Sequence, residues 1–538
     1  MARTPIFDDI RRAFRIAVYL ERTRHSTSEG LERLEEAAWS RRRFLRTAVT
    51  ATAGAAVTPL LAQCRCACEP PRVAIVGAGV AGLVCAYRLQ QNGIPARVIE
   101  ASTRVGGRMF SLRNFFPDNQ VAELGGELID SEHKHLRNLA KELGLTLTDL
   151  AYDDGPNGHD YYFEGVPIRT DADFVDMFRD VFSKIDADVK PMRVRGEIEY
   201  DTPHAGEMDK LSIDEWFTKR DVTGTIRKVL EAAYRGENGL EIGEQSSLNL
   251  LTMMGEQPSG DIHLFGRSDE RYHIAEGNDS VPTRLAQKLE CEVELGTWLE
   301  AISMNGRGYT LAAKRDGQVA NIDADIVVLA IPFTTLRNVD TKKIDLPEEK
   351  RRAINELGYG TNAKLMAGLS RRVWTQTTVD NDARSDARYT GYTFSDLPFQ
   401  CCWETSRGQL GTHAILTNFV GGRYGKDFNR GTIAERASAF IADVDKIYQG
   451  SQAAFTSQAV RQHWPSSPFV CGSYTCFKPG QVCAFADNLG DHVGQIYFAG
   501  EHTSDANGFM EGGVRSGERV AMEILKKVGR RPARAKAA

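Results

Sequence analysis

The segment 72–100 constrains the fold most strongly, because it has the order of a β-α-β unit. Residues 72–76 are a short β-branched run that follows two prolines, which is typical of a buried parallel strand. A glycine-rich turn at 77–82 leads into a helical pattern at 83–92, and 96–100 is a second apolar run. The segment therefore predicts an α/β domain built on a parallel sheet.

The glycine-rich turn has the spacing G-x-G-x-x-G, which suits a dinucleotide. Gly77 permits a tight turn, Gly79 lets backbone N–H groups approach a pyrophosphate, and Gly82 lets the helix pack closely on the strand. Glu100 can accept hydrogen bonds from ribose hydroxyls. Because strand, helix and acid all stand in place, we predict a dinucleotide site. The alternative is a glycine-rich loop that closes another kind of α/β unit.

Two further blocks bear on which dinucleotide is bound. Residues 101–109 contain a Gly-Gly-Arg turn that ends in Arg108, and residues 124–127 read Leu-Gly-Gly-Glu. Both blocks resemble those of the flavin-dependent amine oxidase family, in which backbone and an arginine approach the pyrophosphate of FAD. The resemblance favours FAD over NAD.

The carboxyl-terminal part of the chain has a matching pattern. Residues 495–502 read as a strand that enters a turn, and a helix is expected from Gly512 onward. In the resembled family this segment closes the cofactor site, with the acid after Ala-Gly, here Glu501, near the ribityl or phosphate region. A positive helix terminus at the pyrimidine end of a flavin favours its reduction.

Over about residues 72–528 the chain is thus similar to the flavin-dependent amine oxidases, which include monoamine, polyamine and L-amino-acid oxidases. The length of 538 residues agrees, since it exceeds what one hydrophobic core supports. The resemblance implies an α/β FAD-binding domain, Rossmann-like and of the GR2 type, interrupted by an α+β substrate-binding domain. The FAD-binding domain is expected to comprise 72–150, 263–335 and 464–530, and the substrate-binding domain 151–262 and 336–463.

The resemblance also implies the contacts to FAD. They are Gly77, Gly79, Ala81, Gly82, Glu100, Ala101, Arg104, Gly107, Arg108, Gly125, Gly126, Glu127, Leu299, Trp464, Gly500, Glu501, Phe509 and Met510. Where monoamine oxidases of the mammalian type attach the flavin to a cysteine, this chain has Ser473, and Cys471 is two residues away. We therefore predict noncovalent FAD.

The implied reaction is oxidative deamination of a primary amine. Hydride passes from the carbon next to nitrogen to flavin N5, the imine is hydrolysed, and oxygen reoxidises the flavin and yields hydrogen peroxide. Lys364 matches the family lysine that holds a water at flavin N5; the alternative for a lysine at a strand end is a solvated charge. Molecular oxygen or another electron acceptor is the second reactant, and a homodimer is compatible with the sequence.

Three aromatic residues match the walls of the family's substrate site. Trp464 and Tyr474 would form one wall and Phe509 the other, where monoamine oxidases place tyrosines on both walls. This departure argues against ordinary arylalkylamine specificity. The alternative is that all three are core aromatics.

The principal alternative function is an L-amino-acid oxidase or dehydrogenase. Such enzymes grip the substrate carboxylate with an arginine just after the Gly-Gly block, where this chain has the acidic Glu127 and Asp130. Either acid could receive a second ammonium, of a diamine or a basic amino acid, or could only cap the following helix. A desaturase of the same superfamily would need a broad apolar membrane patch, and we see no long apolar stretch. A flavin-storing protein would show no turnover.

The first 64 residues differ from the rest of the chain, with eleven arginines, no lysine and seven acidic residues. Arg41 and Arg42 precede a weakly apolar run at 47–61, which resembles a twin-arginine export signal and is short for a permanent membrane anchor. The expected location is the periplasm or the exterior. The alternatives are two helices of the folded body and, less favoured, lipidation at Cys64.

Overall composition excludes some classes of partner. The net charge of −5 argues against a nucleic-acid-binding protein. The ten cysteines show no paired C-x-x-C spacing of a zinc site, so no metal is predicted. Adjacent Cys401 and Cys402 are interpreted as buried apolar residues rather than a redox couple. The basic residues of 531–538 are interpreted as a solvated tail.

Overall fold

The computed structural model describes residues 70–150, 160–168, 172–255, 270–376 and 391–529. The twin arginines, Cys64 and the basic tail at 531–538 lie outside the described residues. Among the described helices, none combines the length and apolar character that crossing a bilayer requires.

A four-stranded parallel sheet forms the centre of the first part of the molecule. Its strands are, in spatial order, Ala96–Ile99, Val73–Val76, Ile326–Leu329 and Ile496–Phe498. Their side chains are buried almost throughout, because helices cover one face of the sheet and an antiparallel sheet packs against the other. Each of the three predicted FAD segments supplies at least one strand, and the predicted α/β fold is confirmed.

Two helices begin at the carboxyl edge of this sheet and pack against each other. They are Val80–Gln90 and Met510–Lys527. A Cβ at Gly517 would stand 2.3 Å from the Ala81 carbonyl oxygen, so the close approach of the helices needs glycine there. Both helices start two or three residues earlier than predicted, because Gly79 and Phe509 take the N-cap positions.

A seven-stranded sheet forms the second part of the molecule. Its strands are, in spatial order, Phe455–His463, Ala363–Leu369, Ala414–Val420, Cys401–Glu404, Thr393–Ser395, Asp160–Phe163 and Val166–Ile168. All pairs are antiparallel except that between Thr393–Ser395 and Asp160–Phe163. The helices Gly224–Asn238 and Ile433–Asp445 pack against this sheet. Next to them in this part of the molecule are the helices Ala172–Val189, Pro203–Asp209, Ile213–Lys219 and Ser247–Gly255. This is the predicted α+β architecture.

A four-stranded sheet flanks the parallel sheet, in the order Gln318–Ala324, Gly308–Arg315, Thr297–Asn305 and Asp340–Lys343. The strand Thr297–Asn305 begins directly after Gly296, which has a φ of +67°. The remaining short strands are Ser111–Leu112, Ala122–Glu123, Leu147–Asp149, Arg193–Val194, Glu197–Ile198 and Tyr272–Ile274. The remaining α-helices of the described residues are Lys134–Glu142, Ser280–Lys288, Phe333–Leu336, Glu348–Glu356, Gly422–Asp427, Ser451–Ala454 and Val482–Phe485.

Candidate active site

A cavity of about 1050 Å³ opens at the carboxyl edge of the parallel sheet. Ligand-binding cavities usually hold about 300–1,000 Å³, so this one suits a large ligand. Fourteen of the residues predicted to contact FAD line it: Gly77, Gly79, Ala81, Glu100, Ala101, Arg104, Gly107, Arg108, Leu299, Trp464, Gly500, Glu501, Phe509 and Met510. Predicted residues that do not line it are Gly82, Gly125, Gly126, Glu127, Lys364 and Tyr474.

The three glycines of the first turn have different structural requirements. Gly77 has φ +102°, and a Cβ there would lie 2.7 Å from the Ala330 carbonyl oxygen. A Cβ on Gly82 would lie 2.0 Å from the Gly77 carbonyl oxygen. A Cβ on Gly79 meets no described atom within 4 Å, because it would project into the cavity. Of these three glycines, Gly79 is thus the one at which a side chain would obstruct a ligand rather than the fold.

Glu100 is held rigidly at the cavity wall. Its carboxylate accepts hydrogen bonds from the backbone N–H groups of Ala78, at 2.7 Å, and Ser102, at 2.8 Å. The helices that start at Val80 and Met510 have no side-chain N-cap, so their positive ends face the cavity without a protein acceptor from the cap residue. A carboxylate beside the start of the helix Val80–Gln90 matches the ribose and pyrophosphate of a dinucleotide.

An ion pair between Arg108 and Glu501 joins distant segments at the cavity. The guanidinium donates at 2.8 Å both to Glu501 and to the carbonyl oxygen of Ser473. Burial alone would raise the pKa of Glu501, but the charge of Arg108 and hydrogen bonds such as that from the Gly508 N–H hold that pKa below its ordinary value. Glu501 is therefore ionised at neutral pH.

Arg104 mainly organises its own turn. It donates to the carbonyl oxygens of Val105, Gly107 and Met109, and its guanidinium lies 4.0 Å from the ring centroid of Phe110. Arg104 thus shapes the segment that presents Gly107 and Arg108 to the cavity.

Lys364 lies in a buried polar cluster in which its ammonium makes three hydrogen bonds. Its side chain is 2% exposed, which excludes a solvated edge charge. The ammonium donates to the Glu127 carboxylate at 2.6 Å and to the carbonyl oxygens of Glu123 and Gly125 at 2.9 and 3.0 Å. The Trp403 indole N–H donates to the other Glu127 oxygen at 2.9 Å. An ammonium has three donors, so holding a water would require one of these contacts to be shared.

The aromatic residues predicted for the substrate site occupy different positions. Trp464 lines the cavity, and its indole N–H donates to the Leu124 carbonyl oxygen at 3.1 Å. Phe509 also lines the cavity and packs edge-to-face on His133, with ring centroids 4.8 Å apart. Tyr474 is buried beside Trp464, and its hydroxyl donates to the carbonyl oxygen of Glu237.

For Glu127 and Asp130 the sequence left open whether they receive a second ammonium or only cap the following helix, and the structure shows another carboxylate at that helix start. That helix, Lys134–Glu142, has His133 as its N-cap, without a side-chain cap bond. Asp130 instead contacts the His133 ring at 3.2 Å and accepts from the Glu270 N–H. The capping carboxylate comes from Glu511, which accepts from the N–H groups of His135 and Leu136. This carboxylate is 375 residues away from Leu136 in the chain, so local sequence could not indicate it.

Sequence reasoning missed two buried polar residues near the site. Trp403 was not singled out, and nothing in its local sequence indicated that it would bind Glu127. His502 is 1% exposed, and neither ring nitrogen has a hydrogen-bond partner among the described residues. Burial lowers the pKa of His502 to about 3, so the ring is neutral. The Ala-Gly-Glu block preceding it was the available signal.

Comparisons with known proteins agree with this arrangement. The model of the flavin containing amine oxidoreductases matches residues 80–525. An L-amino-acid oxidase of Gloydius halys is 23% identical over 474 residues, covering 85% of this chain and 89% of the relative. A flavin-containing amine oxidase of Danio rerio is 24% identical over 474 residues, covering 85% and 86%. The structure of cyclohexylamine oxidase from Brevibacterium oxydans superimposes with a TM-score of 0.73 and 23% identity, covering 86% of this chain and 100% of that one.

Proposed function

The chain belongs to the flavin containing amine oxidoreductase family, and from this premise we propose that it binds FAD noncovalently and oxidatively deaminates a primary amine. The observation that carries the proposal is the cavity at the sheet edge, where Glu100 lies beside the start of the helix Val80–Gln90 and the start of the helix Met510–Lys527 lines the same cavity. Bound flavin supplies the hydride acceptor, and the protein supplies binding, orientation and electrostatics.

The cavity residues fit FAD in a definite order. Gly79 and the start of the helix Val80–Gln90 would receive the pyrophosphate, because the backbone there is open and electropositive. Glu100 would accept hydrogen bonds from the ribose of adenosine. The Arg108–Glu501 pair would lie near the phosphate or ribityl part. Residues supplied by three segments distant in sequence thus serve one extended ligand.

The residues assigned to the amine act by positioning it. Trp464 and Phe509 would exclude water and flank an uncharged amine. Tyr474, held by its hydrogen bond to Glu237, would support Trp464. Lys364 would act at the flavin, either through a shared contact to water or by fixing the Gly-Gly segment at Gly125. Oxygen then takes the electrons and gives hydrogen peroxide.

An L-amino-acid oxidase or dehydrogenase is the second candidate, because relatives named L-amino-acid oxidase are 23% and 24% identical to this chain over the aligned residues. The local chemistry favours the amine. Glu127 and Asp130 stand where a carboxylate-binding arginine would be needed, and these acids are paired with Lys364 and His133. These positions therefore do not supply the cation that a substrate carboxylate needs. Within this second candidate, a basic amino acid is the substrate most compatible with Glu127 and Asp130.

Anaerobic flavin bleaching tests the proposal. The purified protein is mixed with primary amines and, in parallel, with their α-carboxylated analogues. Faster bleaching by the amines, followed by peroxide formation when oxygen is admitted, is expected. Faster bleaching by the amino acids would establish the second candidate, and absence of bleaching by either series would refute both.

Noncovalent attachment has its own test. Ser473 occupies the attachment position, and its hydroxyl donates to the Asn362 side chain at 2.6 Å. Acid precipitation should leave the yellow cofactor in the supernatant, whereas flavin retained by the denatured protein would show a covalent bond.

Export through the twin-arginine route is proposed from Arg41 and Arg42. Replacement of both by lysine should leave flavin-loaded enzyme in the cytoplasm. Unchanged activity outside the cytoplasm would overturn this proposal without affecting the others.

A further inference from the structure

Residues 123–127, which contain the Gly-Gly block, have backbone carbonyl oxygens that all accept hydrogen bonds from side chains. Lys364 donates to the first and the third of them, and the Trp464 indole donates to the second. The side-chain amide of Asn278 donates to the fourth and the fifth, at 2.9 and 2.6 Å. In chain order the carbonyls belong to Glu123, Leu124, Gly125, Gly126 and Glu127. Three side chains from distant parts of the chain thus hold five successive peptide groups.

Asn278 is completely buried, and both its amide nitrogen and its amide oxygen have partners. Besides the two bonds that the nitrogen donates, the oxygen accepts from the Ile274 N–H at 3.1 Å. These partners determine how the amide is oriented, because only the nitrogen can donate to carbonyl oxygens and only the oxygen can accept from an N–H. No other uncharged side chain of this length offers two donors together with an acceptor.

A buried carboxylate bonds Asn278 to the same segment a second time. The side chain of Glu123 is 0% exposed and accepts from the Asn278 backbone N–H at 2.8 Å. It also accepts from the Ser111 hydroxyl at 2.8 Å and contacts the His273 ring at 3.1 Å. Asn278 is therefore bonded to the segment through its side chain and through its backbone, which leaves little freedom for either to move.

The segment is bonded to three residues that the proposed function uses. Lys364 and Trp464 donate to its carbonyl oxygens. The Gly126 N–H donates to the carbonyl oxygen of Arg108 at 3.1 Å. Trp464 and Arg108 line the cavity, whereas Asn278 does not. A displacement of the segment would therefore move groups at the cavity, although Asn278 itself is outside the cavity lining.

We propose that Asn278 is a positioning residue for flavin reduction, because its two donated bonds fix segment 123–127. Trp464, Lys364 and Arg108 are bonded to that segment, and the proposal rests on the proposed function, in which they act at the cofactor and the amine. Asn278 acts through them rather than by contact with FAD or the amine. Reaction rates depend steeply on such positions, since a displacement of about 1 Å can lower a rate by about a hundredfold.

The variant Asn278→Leu tests the proposal, because leucine has nearly the shape of asparagine and removes both donors. The rate of anaerobic flavin reduction is measured by stopped flow in FAD-saturated protein, with the amine or amino acid that bleaches the parent fastest. The rate constant per bound flavin should fall by roughly ten- to a hundredfold. The Kd of the apoenzyme for FAD should change little, because Gly79 and Glu100 are not bonded to this segment.

Gln245→Met is the matched control for loss of a buried amide. Gln245 is also completely buried, and its amide donates to the Tyr234 and Leu240 carbonyl oxygens at 2.9 and 2.7 Å. It does not line the cavity. Both variants should lower the midpoint of unfolding, but Gln245→Met should keep the parental rate per bound flavin. Parental rates in Asn278→Leu, or an equal loss in both variants, would leave Asn278 with only a structural role and overturn the proposal.

Asn278→Asp gives a second, independent measurement. A protonated carboxyl keeps one donor, whereas the ionised form has none. The charged and titratable groups around this position are Glu123, Glu127, His273, Asp279 and Arg113. Burial beside Glu123 raises the pKa of the introduced carboxyl, so the rate relative to the parent should rise as the pH falls from neutral. A ratio that does not change with pH would contradict the donor role of Asn278.

Hydrogen exchange of segment 123–127 gives a readout that does not depend on turnover. Exchange there should be faster in Asn278→Leu than in the parent, and unchanged in Gln245→Met. Exchange at the parental rate in Asn278→Leu would refute the positioning role. A parent whose flavin is reduced by neither amines nor amino acids would instead overturn the proposed function.

Discussion

The cofactor cavity and the cluster of Lys364, Glu127 and Trp403 differ in one respect: polar backbone groups at a helix start face the cavity without a side-chain partner, whereas the polar atoms of the cluster bond to one another or to backbone. At the cavity, the helix at Val80 starts without a side-chain cap, and Gly79 leaves open space in front of the backbone. In the cluster, every ammonium donor and both carboxylate oxygens have a protein partner. The cavity thus leaves the start of one helix open to a ligand, whereas the polar groups of the cluster join the seven-stranded sheet to the Gly-Gly segment.

Breaking the cluster should have the largest effect. Lys364→Met leaves the Glu127 carboxylate buried without its counter-ion, which costs about 3–5 kcal/mol in other proteins. We expect a lower midpoint of unfolding and, if Lys364 acts at the flavin, turnover reduced by roughly ten- to a thousandfold, about 1.4–4 kcal/mol. Thermal unfolding and stopped-flow measurement of both half-reactions would show the two effects separately.

The double variant Lys364→Met/Glu127→Gln is the matched control, since glutamine removes the stranded charge and keeps an acceptor for Trp403. Most of the lost stability should return, and FAD content should equal that of the parent. If this stable variant also turns over at the parental rate, Lys364 has only a structural role and the proposed active-site assignment is wrong.

Alanine substitutions at two glycines of one turn should separate an effect on folding stability from an effect on FAD binding. Gly82→Ala places a Cβ 2.0 Å from the Gly77 carbonyl oxygen, and such overpacking costs about 1–3 kcal/mol or more, so both stability and FAD content should fall. Gly79→Ala meets no protein atom and should leave the unfolding midpoint of the apoenzyme unchanged. Its affinity for FAD should drop by roughly tenfold or more, about 1.4 kcal/mol. Equal FAD affinity in Gly79→Ala and the parent would show that the pyrophosphate does not bind at Gly79.

His502 belongs neither to the Lys364 cluster nor to the glycine turn. Its contribution to the pH dependence of folding stability should be the smallest of the expected effects. The folded ring stays neutral down to a pKa of about 3, whereas an unfolded histidine takes up a proton below its ordinary pKa of 6.5. The unfolded state then binds more protons, so stability falls as pH falls below 6.5. Between pH 6.5 and 5.5 this amounts to about 1 kcal/mol. Urea unfolding of His502→Phe should show that much less loss than the parent; parallel curves would contradict it.

Local sequence was sufficient where neighbouring residues carried the pattern. The strand–turn–helix at 73–90, the strand Ile496–Phe498 and the strand holding Lys364 all form near their predicted positions. The helix starts were misplaced by two or three residues, because the N-cap depends on backbone angles that Gly79 and Phe509 adopt only in context. The α/β class needed no more than this local information.

The sequence by itself determined the β-α-β unit, the acid at its second strand and the family blocks, because each rests on residues close together in the chain. Only the tertiary structure decided which polar groups meet: that Glu127 binds Lys364 and Trp403, that Glu511 caps a distant helix, and that Trp298 faces Phe469. The physical reason is that these contacts join segments roughly 170–380 residues apart, as in Glu127–Lys364, Trp298–Phe469 and Leu136–Glu511, and are selected by packing of whole sheets and helices rather than by local backbone preference.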